Sequence, residues 1–308
     1  MALIQIRGLR KRFGDGIVIQ GIELSIEEGE IFGLIGPDGA GKSTLIRMLA
    51  GILEPTEGEI SLRGIDAVHA YEEVRRLVGY MPQTFGLYGP LTVEENLRAV
   101  ARIHGVKGGE FKKRTERLYQ FSGLGPFRHR RAAQLSGGMK QKLGLSCVLV
   151  HEPPILLLDE PTVGVDPVSR REFWEILHAL SARGATILIS TPYLEEAERC
   201  HRIAFLRQGR ILEVLDPREL KARFPYAACD IYASERRELL KRLQQRLTLL
   251  VAFLSGDRIH LICEKEIVDS GKLEQAVKKL SPKDARIKET APTVQDLYFI
   301  LEKGGHGS

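Results

Sequence analysis

The sequence predicts an α/β protein with a largely parallel sheet. Residues 155–158 form a continuous apolar run and residues 31–35 read as a second buried strand, the pattern of strands covered on both faces. Helical spacing follows each of them, with Leu45, Ile46, Met48, Leu49 and Ile52 after 31–35 and Phe173, Ile176, Leu177 and Leu180 after 155–158. Strands alternating with helices give neighbouring strands that run parallel.

Taken in order, the chain opens with period-two alternation at Leu3, Ile4 and Ile6, at 17–19, and at Ile22, Leu24 and Ile26, broken by turns at Gly14-Asp15-Gly16 and Glu28-Gly29. A glycine-rich loop follows the strand at 31–35. Residues 94–103 and 111–121 read as helices, and Leu143, Leu145, Val148 and Leu149 mark another. Gly184 closes the helix through Phe173, residues 186–190 and 203–206 read as strands, and Gln208-Gly209 turns the chain into 211–214. The pattern changes near Asp216-Pro217. After a short helix at 218–224, the reading is strand 227–233, helix 234–246, strand 247–255, strand 258–264, helix 269–280 and strand 285–289, the β-α-β-β-α-β order of a ferredoxin-like unit. A last helix runs from after Pro292 to about residue 303. The expected domains are therefore 1–216 and 222–303, with a flexible tail at 304–308. The acidic and basic residues of the second domain sit at helix-surface spacing and suggest no catalytic constellation there.

Composition narrows the class. The chain has 308 residues, a net charge of +5 and a pI near 9.0. Its Lys and Arg are spread along the sequence apart from short clusters at 10–12, 112–114 and 128–131, which read as solvated helix faces rather than a nucleic-acid stripe. Mild basicity also suits docking beneath an anionic leaflet. Cys147, Cys200, Cys229 and Cys263 form no CxxC pair, which argues against a zinc site or disulfide framework and fits a reducing cytoplasm. The N-terminal stretch has no signal-peptide apolar region, and the longest apolar run, 247–254, is far short of the ~20 residues needed to span a bilayer. Any membrane role is expected to come through a partner.

Three motifs carry the chemistry. GPDGAGKST at 36–44 follows a strand and opens a helix, fitting GxxxxGK[ST]. Such glycines let consecutive N–H groups face one anion, and the helix aims its positive end at the same point. Asp159 and Glu160 end the apolar run at 155–158; the first can hold Mg2+ and the second can take a proton from an attacking water. LSGGMKQ at 135–141 puts a serine and two glycines at a second helix start, about a hundred residues from the first.

The order GPDGAGKST, GYMPQ (79–83), LSGGMKQ, ILLLDEP (155–161) and GVDP (164–167) resembles the nucleotide-binding domain of ABC transporters over about residues 1–216. The wording of GYMPQTFGLYGPLTVEENL and LSGGMKQKLGL is most similar to exporters with type-2 permeases, whose nearest members carry two ATPase halves where this sequence shows one. The resemblance implies a P-loop NTPase with a RecA-like core, an antiparallel β subdomain and a helical subdomain. It implies that Gly36, Asp38, Gly39, Ala40, Gly41, Lys42, Ser43 and Thr44 hold the phosphates of ATP, with Ser43, Gln83 and Asp159 around Mg2+. Glu160 and Gln83 would serve hydrolysis, Phe13 would stack on adenine, and Ser136, Gly137, Gly138 and Asp166 would act across a dimer of two such domains. Residues 84–90 would lie near a permease. Implied partners are type-2 permease subunits and a second nucleotide-binding domain, with no nucleic acid, at the inner face of the cell membrane.

One position departs from this pattern. After Ser190-Thr191 the family places a histidine that contacts the γ-phosphate; here it is Pro192, which has neither a side-chain donor nor a backbone N–H. A slowed ATPase is expected, and a regulatory subunit with little hydrolysis of its own is the alternative. His201 is too far along the chain to be taken as a replacement, and His151 reads as structural. A soluble ABC protein acting on ribosomes or DNA normally carries two ATPase domains or a long coiled-coil insertion, and neither is visible.

Overall fold

The computed structural model describes residues 2–281 and 285–304. These fall into two units, one within Met1–Val214 and the other within Leu215–Ser308.

The alternating N-terminal residues form two long strands, β1 (Ala2–Phe13) and β2 (Gly16–Glu27), where the sequence suggested three short ones. The discontinuities are register shifts within a single antiparallel ladder, which still sets Ile4 opposite Ile26 and Ile6 opposite Leu24. On the far side of β1 lie β4 (Glu57–Leu62) and β5 (Ile65–Asp66), in the order β2-β1-β4-β5. Between them in sequence come β3 (Ile31–Ile35) and α1 (Lys42–Leu49).

The larger sheet holds β3, β6 (Val78–Met81), β7 (Ile155–Asp159), β8 (Thr186–Thr191), β9 (Arg202–Arg207) and β10 (Arg210–Leu215), ordered β10-β9-β3-β8-β7-β6. The pairs β3/β8, β3/β9, β7/β8 and β6/β7 are all parallel. Every residue of β3, β7 and β8 is buried, as their apolar character requires. The sequence reading missed β6, a four-residue strand containing Gly79, and also α2 (Tyr71–Leu77) before it. The remaining helices of the unit are α3 (Val93–Ile103), α4 (Gly108–Ser122), α5 (Gly137–Leu149), α6 (Pro167–Ser181) and α7 (Leu194–Ala197). Thr92 caps α3 in a full capping box with Glu95.

The second unit runs α8 (Leu220–Arg223), β11 (Tyr226–Tyr232), α9 (Arg236–Arg246), β12 (Val251–Ser255), β13 (Arg258–Glu264), α10 (Lys265–Asp269), α11 (Lys272–Leu280), β14 (Arg286–Thr290) and α12 (Val294–Gly304). Its strands are ordered β12-β13-β11-β14 with every pair antiparallel, as in a ferredoxin-like unit. The helix expected at 269–280 is two helices, because Gly271 adopts a left-handed φ of 69° between them. The expected tail lies, from residue 305 on, outside the described residues. Among the described residues no helix is long and apolar enough to cross a membrane.

The second unit does not keep all its charges on the surface, contrary to the sequence reading. His260 of β13 is buried between two buried carboxylates, with Nδ1 2.6 Å from Asp230 Oδ1 and Nε2 2.9 Å from Asp296 Oδ1. Ionised carboxylates only accept, so the ring satisfies both by carrying a proton on each nitrogen. The bond to Asp296, joined by that to Asp230, raises the pKa of His260 above its ordinary 6.5 against the opposing effect of burial. For Asp296 burial alone pushes upward, but hydrogen bonds from His260 and the Thr293 amide outweigh it and leave its pKa lowered. The cation thereby fastens α12 to the sheet.

The sign of the pH dependence follows. His260 contributes stability that is complete below about 6.5 and is lost as pH rises through its raised folded value, whereas Asp296 contributes above its ordinary 3.8 and is lost as pH falls through its lowered one. The thermal stability of the second unit should therefore weaken on the alkaline side, and His260→Ala should flatten that dependence while costing about 3 kcal/mol.

Candidate nucleotide site

The loop between β3 and α1 is shaped by close approach. A Cβ on Gly36 would lie 2.1 Å from Leu206 O, and Gly41, with φ 106°, has Ile19 Cδ1 and Val18 O against the position a Cβ would take. Neither position accepts a side chain, so the backbone folds around one point at the start of α1. There a pocket of about 470 Å³ is lined by Val18, Asp38, Gly39, Gly41, Lys42, Ser43, Thr44, Gln83, Glu160, Val163 and Pro192. It lies within the size range of small-molecule sites.

Lys42 is buried at 4% exposure, and its Nζ donates to Gly36 O at 2.9 Å and Pro37 O at 3.1 Å. It also pairs with Glu160 Oε1 at 3.1 Å. The other oxygen of Glu160 accepts from Gln83 Nε2 at 3.0 Å, which brings residues 77 positions apart in sequence into one pocket.

Glu160 itself is strained. Its φ is +49°, in the left-handed region that a non-glycine residue occupies only when its surroundings hold it there. Ser190, at the end of the neighbouring strand β8, supplies one such hold. Its Oγ accepts from Glu160 N at 3.0 Å and donates to Asp159 Oδ1 at 2.8 Å. The sequence reading treated Ser190 only as a strand end; the signal was a hydroxyl closing an apolar run. Asp159 is fully buried and its Oδ2 has no partner. Ser43 and Gln83 line the pocket and the orphaned Asp159 carboxylate adjoins Glu160, and hard oxygen donors of this kind are the chemistry that suits Mg2+.

Not every residue singled out in the sequence reaches this pocket. Phe13 is 51% exposed at the end of β1, and Val18 of the adjoining strand lines the pocket in its stead. Ala40 is buried within the loop. Ser136 caps α5, its Oγ accepting from Met139 N, and Gly137 and Gly138 open that helix outside the pocket. A Cβ on Gly138 would come within 2.4 Å of Ser169 Cβ, so the start of α5 lies directly against α6. Asp166 caps α6 by accepting from Val168 N and Ser169 N, and the Ser169 amide, above all, holds its carboxyl below the usual range.

Pro192 does line the pocket, at the position of the departure noted above. The histidines do not compensate for it. His201 Nδ1 accepts from Ile31 N, and His151 is stacked on His104 at 3.8 Å with its pKa pushed down to about 4, chiefly by burial.

A parallel core sheet with a phosphate-type loop at its strand ends, and a second helix start of the LSGGM type, define an ATP-binding cassette. Comparison with known proteins agrees. The sequence profile described as ABC transporter matches residues 19–163. The probable multidrug ABC transporter ATP-binding protein YbhF of Escherichia coli is 41% identical over 312 residues, covering 100% of this chain and 53% of its own length. The Nod factor export ATP-binding protein I of Burkholderia thailandensis is 42% identical over 221 residues, covering 71% of this chain and 73% of its own. A solved dimeric ATP-binding cassette in a post-hydrolysis state with ADP and phosphate is 26% identical, with a TM-score of 0.62 over 69% of this chain and 98% of its own. The chain belongs to the ABC transporter ATP-binding family. It spans about half the length of YbhF.

Replacing Ser190 by Ala removes the hydroxyl's hydrogen bond to the buried Asp159 carboxylate and one of those to Glu160 N. Chemical denaturation should show a loss of about 1–3 kcal/mol, since the carboxylate stays buried without a donor.

Proposed function

We propose that this chain is an ATP-hydrolysing subunit that drives an exporter, working with a second nucleotide-binding domain and with type-2 permease subunits at the inner face of the cell membrane. The observation that carries the reading is the convergence of Lys42, Gln83 and Glu160 on one pocket beside the buried Asp159. ATP would lie with its phosphates on the backbone amides of residues 36–44, and Lys42 would face the β- and γ-phosphates. Water attacks the γ-phosphorus in line, the bond to the bridging oxygen of ADP breaks, and the Glu160 carboxylate takes a proton from the water. Mg2+ held by Ser43, Gln83 and Asp159 would neutralise developing phosphate charge. Ser136, Gly137 and Gly138 would serve the γ-phosphate of the partner domain, and Asp166 the contact between the two sites, which agrees with their lying outside this chain's own pocket. Phe13, exposed at the end of β1, would stack on adenine. The names of YbhF and of the Nod factor relative support an export role; the transported substrate belongs to the permease. The residues around 84–90 would meet the permease, and the second unit would serve regulation or dimerisation.

Pro192 favours a second reading, a nucleotide-binding regulatory subunit with little hydrolysis at its own pocket. A charge-assisted hydrogen bond to phosphate contributes about 1.5–3 kcal/mol, so its loss slows hydrolysis roughly ten- to hundred-fold rather than abolishing it.

Two variants separate the readings in a phosphate-release assay paired with ATP binding. Glu160→Gln should lower turnover about a hundredfold or more while ATP binds at least as tightly, because the ion pair competing for Lys42 is gone. Unchanged turnover would show that this site contributes no hydrolysis and would leave the regulatory reading standing. Pro192→His should raise turnover about tenfold if a phosphate donor is what the pocket lacks.

A further inference from the structure

Glu196 is one of two adjacent glutamates in the short helix α7, and the two have opposite fates. Glu195 is exposed, whereas Glu196 is fully buried. Its carboxylate accepts from Thr162 Oγ1, with Oε1 at 2.8 Å, and from Thr191 Oγ1, with Oε2 at 2.7 Å. Arg170 Nε of α6 stands 3.6 Å from Oε1 as its counter-charge, and the same guanidinium lies 4.1 Å over the ring of Tyr193.

Each of these contacts leads to a segment that matters to the nucleotide pocket. Thr162 lies two residues after Glu160, so Glu196 holds the segment that follows the strained residue while Ser190 holds the Glu160 amide itself. Thr191 precedes Pro192, and its Oγ also accepts from Tyr193 N at 3.1 Å, closing a hydrogen-bonded turn around the proline that lines the pocket. Arg170 donates to Val165 O and lies on the helix that Asp166 caps. One buried carboxylate thus joins the turn bearing Glu160, the turn bearing Pro192 and the approach to Asp166.

On the reading that this chain hydrolyses ATP, we propose that Glu196 is a positioning residue for that reaction. With no histidine at 192 to bind phosphate, the segment 190–193 acts on the pocket by shape. Glu196 fixes that shape and keeps the Glu160 carboxylate in register with the γ-phosphate. It touches neither nucleotide nor water. Misplacing a catalytic group by about 1 Å can slow a reaction by about a hundredfold, so a loosened anchor should be felt in turnover more than in binding.

The test uses the full-length chain with Glu196→Gln, Thr191→Val and Thr191→Ser, measured for ATP turnover, KM for ATP and thermal midpoint. Thr191→Val keeps the side-chain shape and removes the hydroxyl; Thr191→Ser restores it. Glu196→Gln and Thr191→Val should each lower kcat about tenfold with KM changed less than twofold, and Thr191→Ser should recover most of the loss. The proposal is overturned if folded Glu196→Gln and Thr191→Val turn over ATP like the parent. It is equally overturned if kcat falls only in step with nucleotide affinity or thermal midpoint, which is what a purely structural residue would give. A parent chain that binds ATP without hydrolysing it would instead sink the ATPase reading on which the proposal rests, and that outcome is visible before any variant is made.

Discussion

A buried ammonium governs the first unit. Lys42 cannot stay out of water without partners, and its surroundings are built to supply them: two carbonyls of its own loop and a carboxylate from the end of β7. The carbonyls dictate the loop's path, which leaves no room for side chains at Gly36 or Gly41. The carboxylate dictates the turn after β7, which places a non-glycine residue at positive φ. That turn is tolerable because β7 and β8 are parallel neighbours, with Asp159 opposite Ser190 and the following amide within reach of the serine hydroxyl. The central sheet thereby registers two loops against one charge.

The second helix start obeys a different constraint. Gly138 allows α5 to abut Ser169, and Asp166 caps α6 at the same junction. The start of α5 and the cap of α6 therefore form one packed junction, and that junction is not part of the pocket around Lys42. Under the proposed reading this division is what makes a single chain incomplete. On that reading its pocket and its signature helix would serve different nucleotides, and weakness in one need not impair the other. A chain whose own pocket carries Pro192 can still present a sound helix start to a partner.

Much of this was legible because it follows from local rules. The loop at 36–44, the strands at 31–35 and 155–158 and the carboxylates that follow the second are contiguous, and their chemistry is written in adjacent residues. The four-strand order of the second unit followed from a simple alternation of elements. What escaped was set by tertiary contact. Nothing in sequence separates Glu195 from Glu196, since both stand in one helical turn and both pair with Arg170, and only the hydroxyls of Thr162 and Thr191 tell them apart. The strand at Val78–Met81 is too short for its period to show, and Gly79 hides in it because the backbone meets Val148 and Pro153 closely. Asp230, His260 and Asp296 are dispersed over β11, β13 and α12 and come together only when the sheet closes.

That last network sharpens what distinguishes a ligand site from a structural one. Both units bury carboxylates, and burial alone is costly in both. In the second unit both carboxylates of the buried cluster are answered: Asp230 by His260 and an ion pair with Arg258, Asp296 by His260 and the Thr293 amide. Such a closed set has nothing left to offer a ligand, and its work is to hold α12. In the first unit Asp159 keeps one oxygen unanswered in the interior, behind a pocket rimmed by backbone amides and a hydroxyl. A fully buried acceptor without a donor is tolerated where a bound group completes it. Perturbed or buried charge, by itself, would have flagged both clusters alike. What separates them is a carboxylate oxygen left without a donor, which the first cluster has at Asp159 and the second lacks.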